Sequence, residues 1–462
     1  MATPTRADKY DQGKVLREQA SRSSHGDWSP SVNRIDPLDL LQQSDRGRLA
    51  HLVPIKYGRM VESPFTYLRG AASVMAADLA QTPISGITPM LCGDAHLCNF
   101  GVFASPERNL IFDINDFDEV YPGPWEWDVK RLAASAVLAG RSNGFPESVN
   151  QTLAVTVARG YQKAMAYFAD HTTLEMWYYH IDAKYVLELF KAASSKRAHK
   201  TAREMLKKAR QRTQEQTLDK LTTDQDGRLR IMSDPPLLVP FRKDVFADLL
   251  GERDVRETLE SAWQDYLESL SKDRQFLLSR YRITDGALRV GGIGSVGTRC
   301  LIVLLEGQGE DDAIILQLKE AGASALEPFL PVHTYKTHAE RVVTGQTMMQ
   351  TVSDIFLGWH KSPVTNLDYY WRQLKDMKGS VEVEDLDKAG LETYLDLCSW
   401  ALARAHARTG DAATTTGYIG KSDKFATAIA QFAIAYADQT ERDHAQLEKA
   451  VQSGKITAER GI

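Results

Sequence analysis

Residues 92–131 concentrate side chains that could carry out chemistry. Carboxylate, imidazole and amide groups fall there in two short groups: Asp94, His96 and Asn99, and then Asp113, Asp116, Asp118 and Glu119. Between the groups, residues 103–109 contain Ser, Pro and Asn, which favour a turn. Residues 110–112 (Leu-Ile-Phe) are typical of a short buried strand. We therefore expect a β-hairpin to bring the two groups together.

The crowded oxygen atoms of these groups suggest a cation site. Carboxylate and amide oxygens suit a hard divalent ion, Mg²⁺ or Mn²⁺, and phosphate oxygens usually complete the shell of Mg²⁺ in phosphoryl-transfer sites. An Asp beside such a metal can accept the proton of an attacking hydroxyl. The alternative interpretation is a hydrogen-bonded turn, since Asp and Asn favour turns. A turn, however, does not require five carboxylates around one hairpin.

Three motifs in this region resemble a known family. Gly93-Asp94-Ala-His96-Leu-Cys-Asn99 resembles the His-Gly-Asp-x-His-x-x-Asn loop of the aminoglycoside- and choline-kinase-like branch of the protein kinase superfamily, with Cys92 in place of the first His. Residues 114–119 (Ile-Asn-Asp-Phe-Asp-Glu) resemble the metal-binding Ile-Asp-Phe-Asp-Asp of that branch. Residues 123–133 resemble the Gly-x-Pro-x-x-Asp-Leu-Ala that follows, so the motifs stand in the family's order.

The resemblance implies roles for these residues. Asp94 would orient or deprotonate the acceptor hydroxyl, and His96 would brace the loop by hydrogen bonding. Asn99 and Asp116 would hold the metal. Asp113 is a possible second ligand, because its spacing from Asn99 is nearer to that of the family.

A glycine cluster further along resembles the nucleotide lobe of the kinases. Residues 288–305 follow the pattern strand, glycine turn, strand, and residues 314–321 form a third apolar strand with Lys319. The resemblance implies that Lys319 and the turn bind the phosphates of ATP, the turn residues being Gly292, Gly294, Ser295 and Gly297. Tight hairpins also use glycine, so the cluster alone is weak support. A charge in an apolar strand needs a partner, which we expect at Glu340 or, second, at Glu327.

The order of these motifs is unusual, because the kinase nucleotide lobe precedes the catalytic loop and here it follows. We therefore predict an α+β, protein kinase-like two-lobe fold that is circularly permuted, with a small antiparallel β-sheet lobe and a large, mainly helical lobe. The predicted divisions are a polar N-terminal arm at 1–35, a helical lobe with the catalytic loop at 36–280, a β-rich nucleotide lobe at 281–380, and a helical segment completing the large lobe at 381–462. The permutation requires Lys319 to share one cleft with Asp94 and Asp116.

Two further residues have predicted structural roles. Asp128, in the third motif, would anchor the backbone of the loop. His406 lies in a predicted amphipathic helix at 391–408 that would occupy, in space, the place before the loop. Since no His-x-x-Asn follows His406, we interpret it as a packing or helix-end residue.

Most of the chain also resembles a bacterial family known as domain of unknown function 2252. The shared stretches are Arg59-Met60, Ser63-Pro64-Phe65, Arg69-Gly70-Ala71 and Asp376-Met377-Lys378-Gly379-Ser380. That resemblance implies no particular activity. Four cations, Arg59, Arg69, Arg372 and Lys378, could contact phosphates or substrate, or could be surface or structural residues.

Composition narrows the class of protein. The 462 residues are 43% hydrophobic and 25% charged, as in an ordinary globular protein. The net charge of −5 gives no general attraction for nucleic acid or anionic membranes. The four cysteines show no metal-finger spacing, and neither a secretory core nor a membrane-length apolar run is present. We expect a cytoplasmic enzyme.

The leading functional prediction is ATP- and Mg²⁺-dependent phosphoryl transfer to a hydroxyl of a small molecule or protein. Nucleotidyl transfer would use the same fold, metal and nucleotide. A different class is a nucleotide-independent metal hydrolase that uses Asp94, His96, Asp113 and Asp116. A third is a non-catalytic kinase-like binding module.

Overall fold

The computed structural model describes residues 4–193, 195–241, 255–309, 312–374 and 377–462, so Asp376 lies outside the described residues. Its strands, β1 to β13, are Met90–Leu91, Phe100–Ala104, Leu110–Ile114, Tyr121–Pro122, Ile181–Asp182, Thr222–Gln225, Arg228–Ile231, Leu238–Pro240, Arg282–Arg289, Cys300–Glu306, Ala313–Ala321, Gly358–Lys361 and Asp368–Gln373. Its described α-helices are Arg6–Val15, Pro37–Ser44, Val53–Met60, Pro64–Gly70, Ala72–Leu79, Trp125–Ser142, Glu147–Asp170, Thr173–Tyr178, Ala183–Ala192, Lys196–Gln211, Gln214–Leu221, Val255–Glu268, Lys272–Leu278, His338–Met349, Lys388–Thr409, Ala412–Ile419 and Lys424–Gln452.

Six strands form one antiparallel sheet in the order β12-β13-β11-β10-β9-β8. The predicted glycine turn joins β9 to β10, and β11 carries Lys319 opposite Cys300 of β10 and Tyr370 of β13. Leu, Ile and Val dominate β10 and β11, which lie in the middle of the sheet and are largely buried. The central strands therefore fix Lys319 in a rigid, apolar setting.

The sheet includes a strand that comes before residue 281, the position at which the β-rich lobe was predicted to begin. The short strand β8 pairs with β9 at one edge, and the helices Val255–Glu268 and Lys272–Leu278 pack on one face of the sheet. A strand of three residues is too short to give a hydrophobic period. The predicted boundary at 281 is therefore too late.

The predicted hairpin is confirmed by the pairing of β2 with β3. Phe100 lies opposite Ile114, and Ala104 lies opposite Leu110. The strand β5 adds a third member to this small sheet. The hairpin places the end of the 92–99 segment beside the carboxylates that follow residue 114, because both flank the same end of the two strands.

Long helices surround this hairpin. Every residue of the helix Trp125–Ser142 from 125 to 140 is buried, and it shares one core with the helices Glu147–Asp170, Lys388–Thr409 and Lys424–Gln452. A helix that is buried on all sides must find partners for its polar side chains inside the protein. This requirement shapes the site described below.

From residue 4 onward the N-terminal segment is folded and packs on the helical lobe, so the predicted division into a separate polar arm at 1–35 is wrong. The helix Arg6–Val15 begins with a capping box of Thr5 and Asp8. It crosses the helix Ala412–Ile419 so closely that a Cβ on Gly13 would lie 2.0 Å from the carbonyl oxygen of Thr414. The contact of a glycine with the backbone of another helix leaves no hydrophobic pattern, which is why the sequence did not reveal it.

Helices and antiparallel sheets together confirm the predicted α+β class. Among the described residues, no helix combines the length and the apolar character that crossing a membrane requires.

Candidate active site

The segment 92–99, called here the Asp94 loop, turns at a glycine. Gly93 has a φ of +77°, and a Cβ there would lie 2.3 Å from the carbonyl oxygen of Glu119, so no other residue fits without movement. The carboxylate of Asp128 accepts hydrogen bonds from the backbone N–H groups of Cys92 (2.8 Å) and Gly93 (3.0 Å). The predicted anchoring role of Asp128 is confirmed.

The buried residue His406 supports Asp128 from behind. Its Nε2 lies 3.1 Å from Oδ2 of Asp128, and its Nδ1 lies 2.9 Å from the hydroxyl of Tyr161. All three side chains are buried. The interpretation of His406 as a packing residue is confirmed, and its specific contribution is to hold the anchor of the Asp94 loop.

Asp94 is oriented by an arginine of the buried helix. Oδ1 of Asp94 accepts a hydrogen bond from Nε of Arg131 (2.5 Å), while Nη2 of Arg131 also donates to the carbonyl of Leu68 (2.9 Å). Because Oδ1 is used in this pair, Oδ2 is the oxygen left to accept a proton or a hydrogen bond from a substrate.

His96 and Asn99 bond within the loop. Nδ1 of His96 accepts from the N–H of Cys98 (3.2 Å), and its Nε2 lies 3.6 Å from Oδ2 of Asp94. Burial, only partly offset by Asp94, lowers the pKa of His96 to about 4, so the ring is neutral. The amide nitrogen of Asn99 donates to the carbonyl of Asp94 (2.7 Å), which leaves its amide oxygen as the possible metal ligand.

Asp116 and Asp118 connect the hairpin to Lys319. The ammonium of Lys319 forms an ion pair with Oδ2 of Asp118, and the hydroxyl of Tyr370 donates to Oδ1 of Asp118 (2.5 Å). Burial by itself lowers the pKa of Lys319, but Asp116 and Asp118 outweigh it and raise that pKa well above its usual value. Burial opposes ionisation of Asp116, but Lys319 and Arg372 outweigh it and lower its pKa. Lys319 is therefore charged, and Asp116 is ionised.

The predicted partners of Lys319 are wrong. Glu340 accepts a hydrogen bond from the backbone N–H of Lys336 (2.8 Å), and Glu327 accepts one from the N–H of Ser324 (2.9 Å). Neither carboxylate lines the cleft that contains Lys319. The partner is instead Asp118, in the segment that follows the hairpin.

Asp113 is not placed to bind a metal in this cleft. Both of its oxygens accept hydrogen bonds from Nη2 of Arg404 (2.7 Å each), and one also accepts from the N–H of Ile114 (2.8 Å). Burial raises the pKa of Asp113, although Arg404 opposes this. The prediction of Asp113 as a second ligand is wrong, since its side chain faces away from the cleft toward the helix Lys388–Thr409.

The glycine turn, residues 291–297, is called here the glycine loop. Gly292 and Gly294 line the cleft with Ser295, and a Cβ at Gly292 would meet no atom within 4 Å, so the backbone there is open to a ligand. Gly297 does not line the cleft. Its φ of +88° favours glycine, so this residue serves the turn rather than contact with a ligand.

Residues 48–59 hold the glycine loop through its backbone carbonyl groups. Nη1 of Arg48 donates to the carbonyl of Val296 (2.5 Å), and Nη1 of Arg59 donates to the carbonyl of Gly291 (2.6 Å). The N–H of Leu49 donates to the carbonyl of Gly297 (2.7 Å). Arg59 therefore has a structural role, one of the two that its sequence left open.

One cleft of about 750 Å³ joins the Asp94 loop and the glycine loop. The predicted residues that line it are Asp94, His96, Asn99, Asp116, Gly292, Gly294, Ser295 and Lys319. Arg69, Arg372 and Lys378 line it too, and Nε of Arg69 is buried without a hydrogen-bond partner among the described residues. Lys319 thus shares a cleft with Asp94 and Asp116, although more than 200 residues of sequence separate it from each of them.

The metal-binding side chains in the cleft suit an ion whose remaining ligands are oxygen atoms of the substrate. In the described part of the chain, no group of three or more His, Cys, Asp and Glu side chains is arranged to hold an ion. Asn99 and Asp116 supply an amide oxygen and an ionised carboxylate to the same cleft. Mg²⁺ is usually bound by one or two protein ligands, and phosphate oxygens complete its coordination shell.

Sequence reasoning missed several cleft residues. Asp118 carried a signal, since it stands two residues after Asp116 in the same motif. Arg289 also carried one, because it ends a strand two residues before the glycine loop begins. Arg46 and Arg48 carried none, because only the folded chain brings residues 43–48 to the cleft.

Comparison with known proteins identifies the family alone. No curated protein and no solved structure matches the chain. Residues 48–450 match the family described as "Uncharacterized protein conserved in bacteria (DUF2252)". The match covers most of the chain, including both loops of the cleft, and the chain belongs to this family.

Proposed function

We propose that the chain is an ATP- and Mg²⁺-dependent transferase with a circularly permuted, protein kinase-like fold, which moves a phosphorus-containing group to a hydroxyl of a small molecule or protein. The observation that carries the proposal is the composition of one cleft. An acidic loop with Asp94, Asn99 and Asp116 faces a glycine loop and a buried, charged lysine, Lys319. These are the parts that phosphoryl transfer requires, and they meet despite their reversed order in the chain.

Each residue has a defined task in this proposal. Oδ2 of Asp94 accepts the proton of the attacking hydroxyl, while Arg131 holds the other oxygen and fixes the direction of attack. The backbone of the glycine loop and Lys319 bind phosphate oxygens. Mg²⁺, held by Asn99 and Asp116, would neutralise negative charge on the phosphates. Asp118 keeps Lys319 charged and in place before the nucleotide arrives.

Two forms of the transfer use the same residues. Phosphoryl transfer is the form implied by the resemblance of the motifs. Nucleotidyl transfer is the second candidate, favoured by additional cations on the sheet side of the cleft, Arg289, Arg372 and Lys378.

Thermal stability with ATP tests the proposal. A ligand that binds the folded state raises Tm, and at a concentration 100 times its Kd the gain is about 2.7 kcal/mol. We expect ATP with Mg²⁺ to raise Tm of the wild type and to have no effect on Lys319→Ala. Lys361→Ala, at an exposed lysine of the same sheet, is the matched control and should respond like the wild type.

The other outcomes separate the rival functions. A rise with metal alone that survives Lys319→Ala would support a nucleotide-independent hydrolase. A rise with ATP and Mg²⁺, without turnover of ATP under any condition, would support a non-catalytic binding module. No response to any nucleotide would contradict the proposed function.

A further inference from the structure

The strand register defines which side chains face the cleft from the sheet. Residues directly opposite in antiparallel strands share a face, and Gln317 of β11 lies opposite Arg372 of β13. Gln317 is two residues from Lys319, a step of about 7 Å along the strand. Gln317, Lys319 and Arg372 all line the cleft. The cleft therefore continues past Lys319 over a polar surface.

Three cations occupy this part of the cleft. Arg289 ends β9 just before the glycine loop, Arg372 lies in β13, and Lys378 follows β13. Nε of Arg372 donates to Oε1 of Gln317 (2.9 Å), which fixes the guanidinium. Among the described residues, no hydrogen bond or ion pair is formed by the side chains of Arg289 and Lys378.

These cations repel one another. Burial first, and then Arg372, lower the pKa of Lys378 to about 7, against the opposing effect of Asp116 and Asp354. Burial also lowers the pKa of Arg289, with Arg372 adding to the effect. Asp116 is the proposed metal ligand, and Asp354 accepts hydrogen bonds from the N–H groups of Phe356 and Gln373. A bound anion would relieve this repulsion.

The same surface is poorly suited to a nucleoside base. Sites for flat, apolar groups are lined mainly by apolar and aromatic side chains. No Phe, Tyr or Trp is among the described residues that line the cleft, and its largest apolar side chains are the aliphatic ones of Val290, Ile293 and Leu374. Charge is therefore the main property that this end offers a ligand.

We propose that Arg289, Arg372 and Lys378 form a polyphosphate subsite, which binds the terminal phosphates of the nucleoside triphosphate. The inference rests on the proposed function and specifies which end of the nucleotide enters the sheet side of the cleft. The nucleoside then lies toward the mouth, and the α-phosphorus lies nearest Asp94. The acceptor oxygen forms a bond to the α-phosphorus, the bond from the α-phosphorus to the bridging oxygen breaks, pyrophosphate leaves, and Asp94 takes the hydroxyl proton.

Binding of inorganic tripolyphosphate with Mg²⁺ tests the subsite directly. We expect tripolyphosphate to raise Tm of the wild type and adenosine to leave it unchanged. Arg372→Gln should weaken tripolyphosphate binding at least tenfold, since hydrogen bonds to charged groups contribute about 1.5–3 kcal/mol. Arg289→Gln serves as a second variant if Arg372→Gln folds poorly. Arg282→Gln, an exposed arginine of the same strand β9, is the control and should bind like the wild type.

The products of ATP turnover supply the second readout. With water or an alcohol as acceptor, the subsite predicts pyrophosphate and a nucleoside monophosphate product. ADP would overturn it, as would stabilisation by adenosine that is lost in Arg372→Gln. If ATP raises Tm through Lys319 but tripolyphosphate does not, the subsite is wrong and the proposed function stands. If neither ligand raises Tm, both fail.

Discussion

The two walls of the cleft are held by different kinds of contact. The Asp94 loop is anchored by the buried carboxylate of Asp128, which lies 36 residues from Cys92 in the chain. The glycine loop is held through its carbonyl groups by arginines that are 232 and 248 residues away, Arg59 and Arg48. The first anchor belongs to the core, and the second lies nearer the surface.

Because of this difference, we expect the Asp94 loop to be rigid and the glycine loop to be adjustable. Removing a buried charged anchor leaves polar groups without partners inside the core, which costs several kcal/mol. Removing a half-buried arginine costs less, because water can replace it. The wall of the Asp94 loop therefore shares the stability of the whole fold, whereas the position of the glycine loop can change at small cost.

The largest expected effect is the loss of the anchor of the Asp94 loop. Asp128→Ala leaves the N–H groups of Cys92 and Gly93, and the ring of His406, without their acceptor. We expect the free energy of unfolding to fall by roughly 3–5 kcal/mol, as measured by urea denaturation. Asp128→Asn, which retains one acceptor oxygen, should lose less. A loss under 1 kcal/mol in Asp128→Ala would mean that the wall is not tied to the core as described.

Substitutions at Asp113 and Asp116 distinguish a residue that stabilises this wall from a residue that is proposed to bind the metal. Asp113→Asn removes the charge that balances buried Arg404, so we expect a loss of about 3 kcal/mol in stability. The Mg²⁺-dependent part of the ATP thermal shift should remain. Asp116→Asn should remove that Mg²⁺-dependent part, because it removes the proposed ligand. A reversal, with the metal response lost only in Asp113→Asn, would return Asp113 to the role of metal ligand.

The smallest expected effect concerns the wall of the glycine loop. Arg59→Gln removes the hydrogen bonds to the carbonyls of Gly291 and Ile462 and should lower the free energy of unfolding by about 1–2 kcal/mol. ATP binding should weaken severalfold, because the loop then has to be ordered by the ligand. Arg460→Gln, an exposed arginine, is the control for both measurements. If Arg59→Gln destabilises the chain as much as Asp128→Ala, the contrast between the walls does not exist.

The same contrast explains what could be predicted from sequence. The hairpin and the glycine turn followed from neighbouring residues, whose types and spacing fix local structure. The anchoring role of Asp128 followed from the resemblance of the third motif to the kinase family. The pairing of Lys319 with Asp118, and of Asp113 with Arg404, depends on which distant segments meet. The docking of residues 43–59 on the glycine loop had no periodic or compositional signal at all. Local chemistry was therefore visible in the sequence, whereas the partners of buried charges required the fold.

The position of the helix Lys388–Thr409 late in the sequence affects when the Asp94 wall of the cleft can form during synthesis. It supplies both Arg404, the partner of Asp113, and His406, the partner of Asp128. A ribosome produces the two acids nearly 300 residues before their partners. Until that helix emerges, Asp113 of the hairpin and Asp128 of the helix Trp125–Ser142 cannot be buried at low cost, so the region around them stays hydrated and open. Synthesis of this helix thus closes the wall of the Asp94 loop.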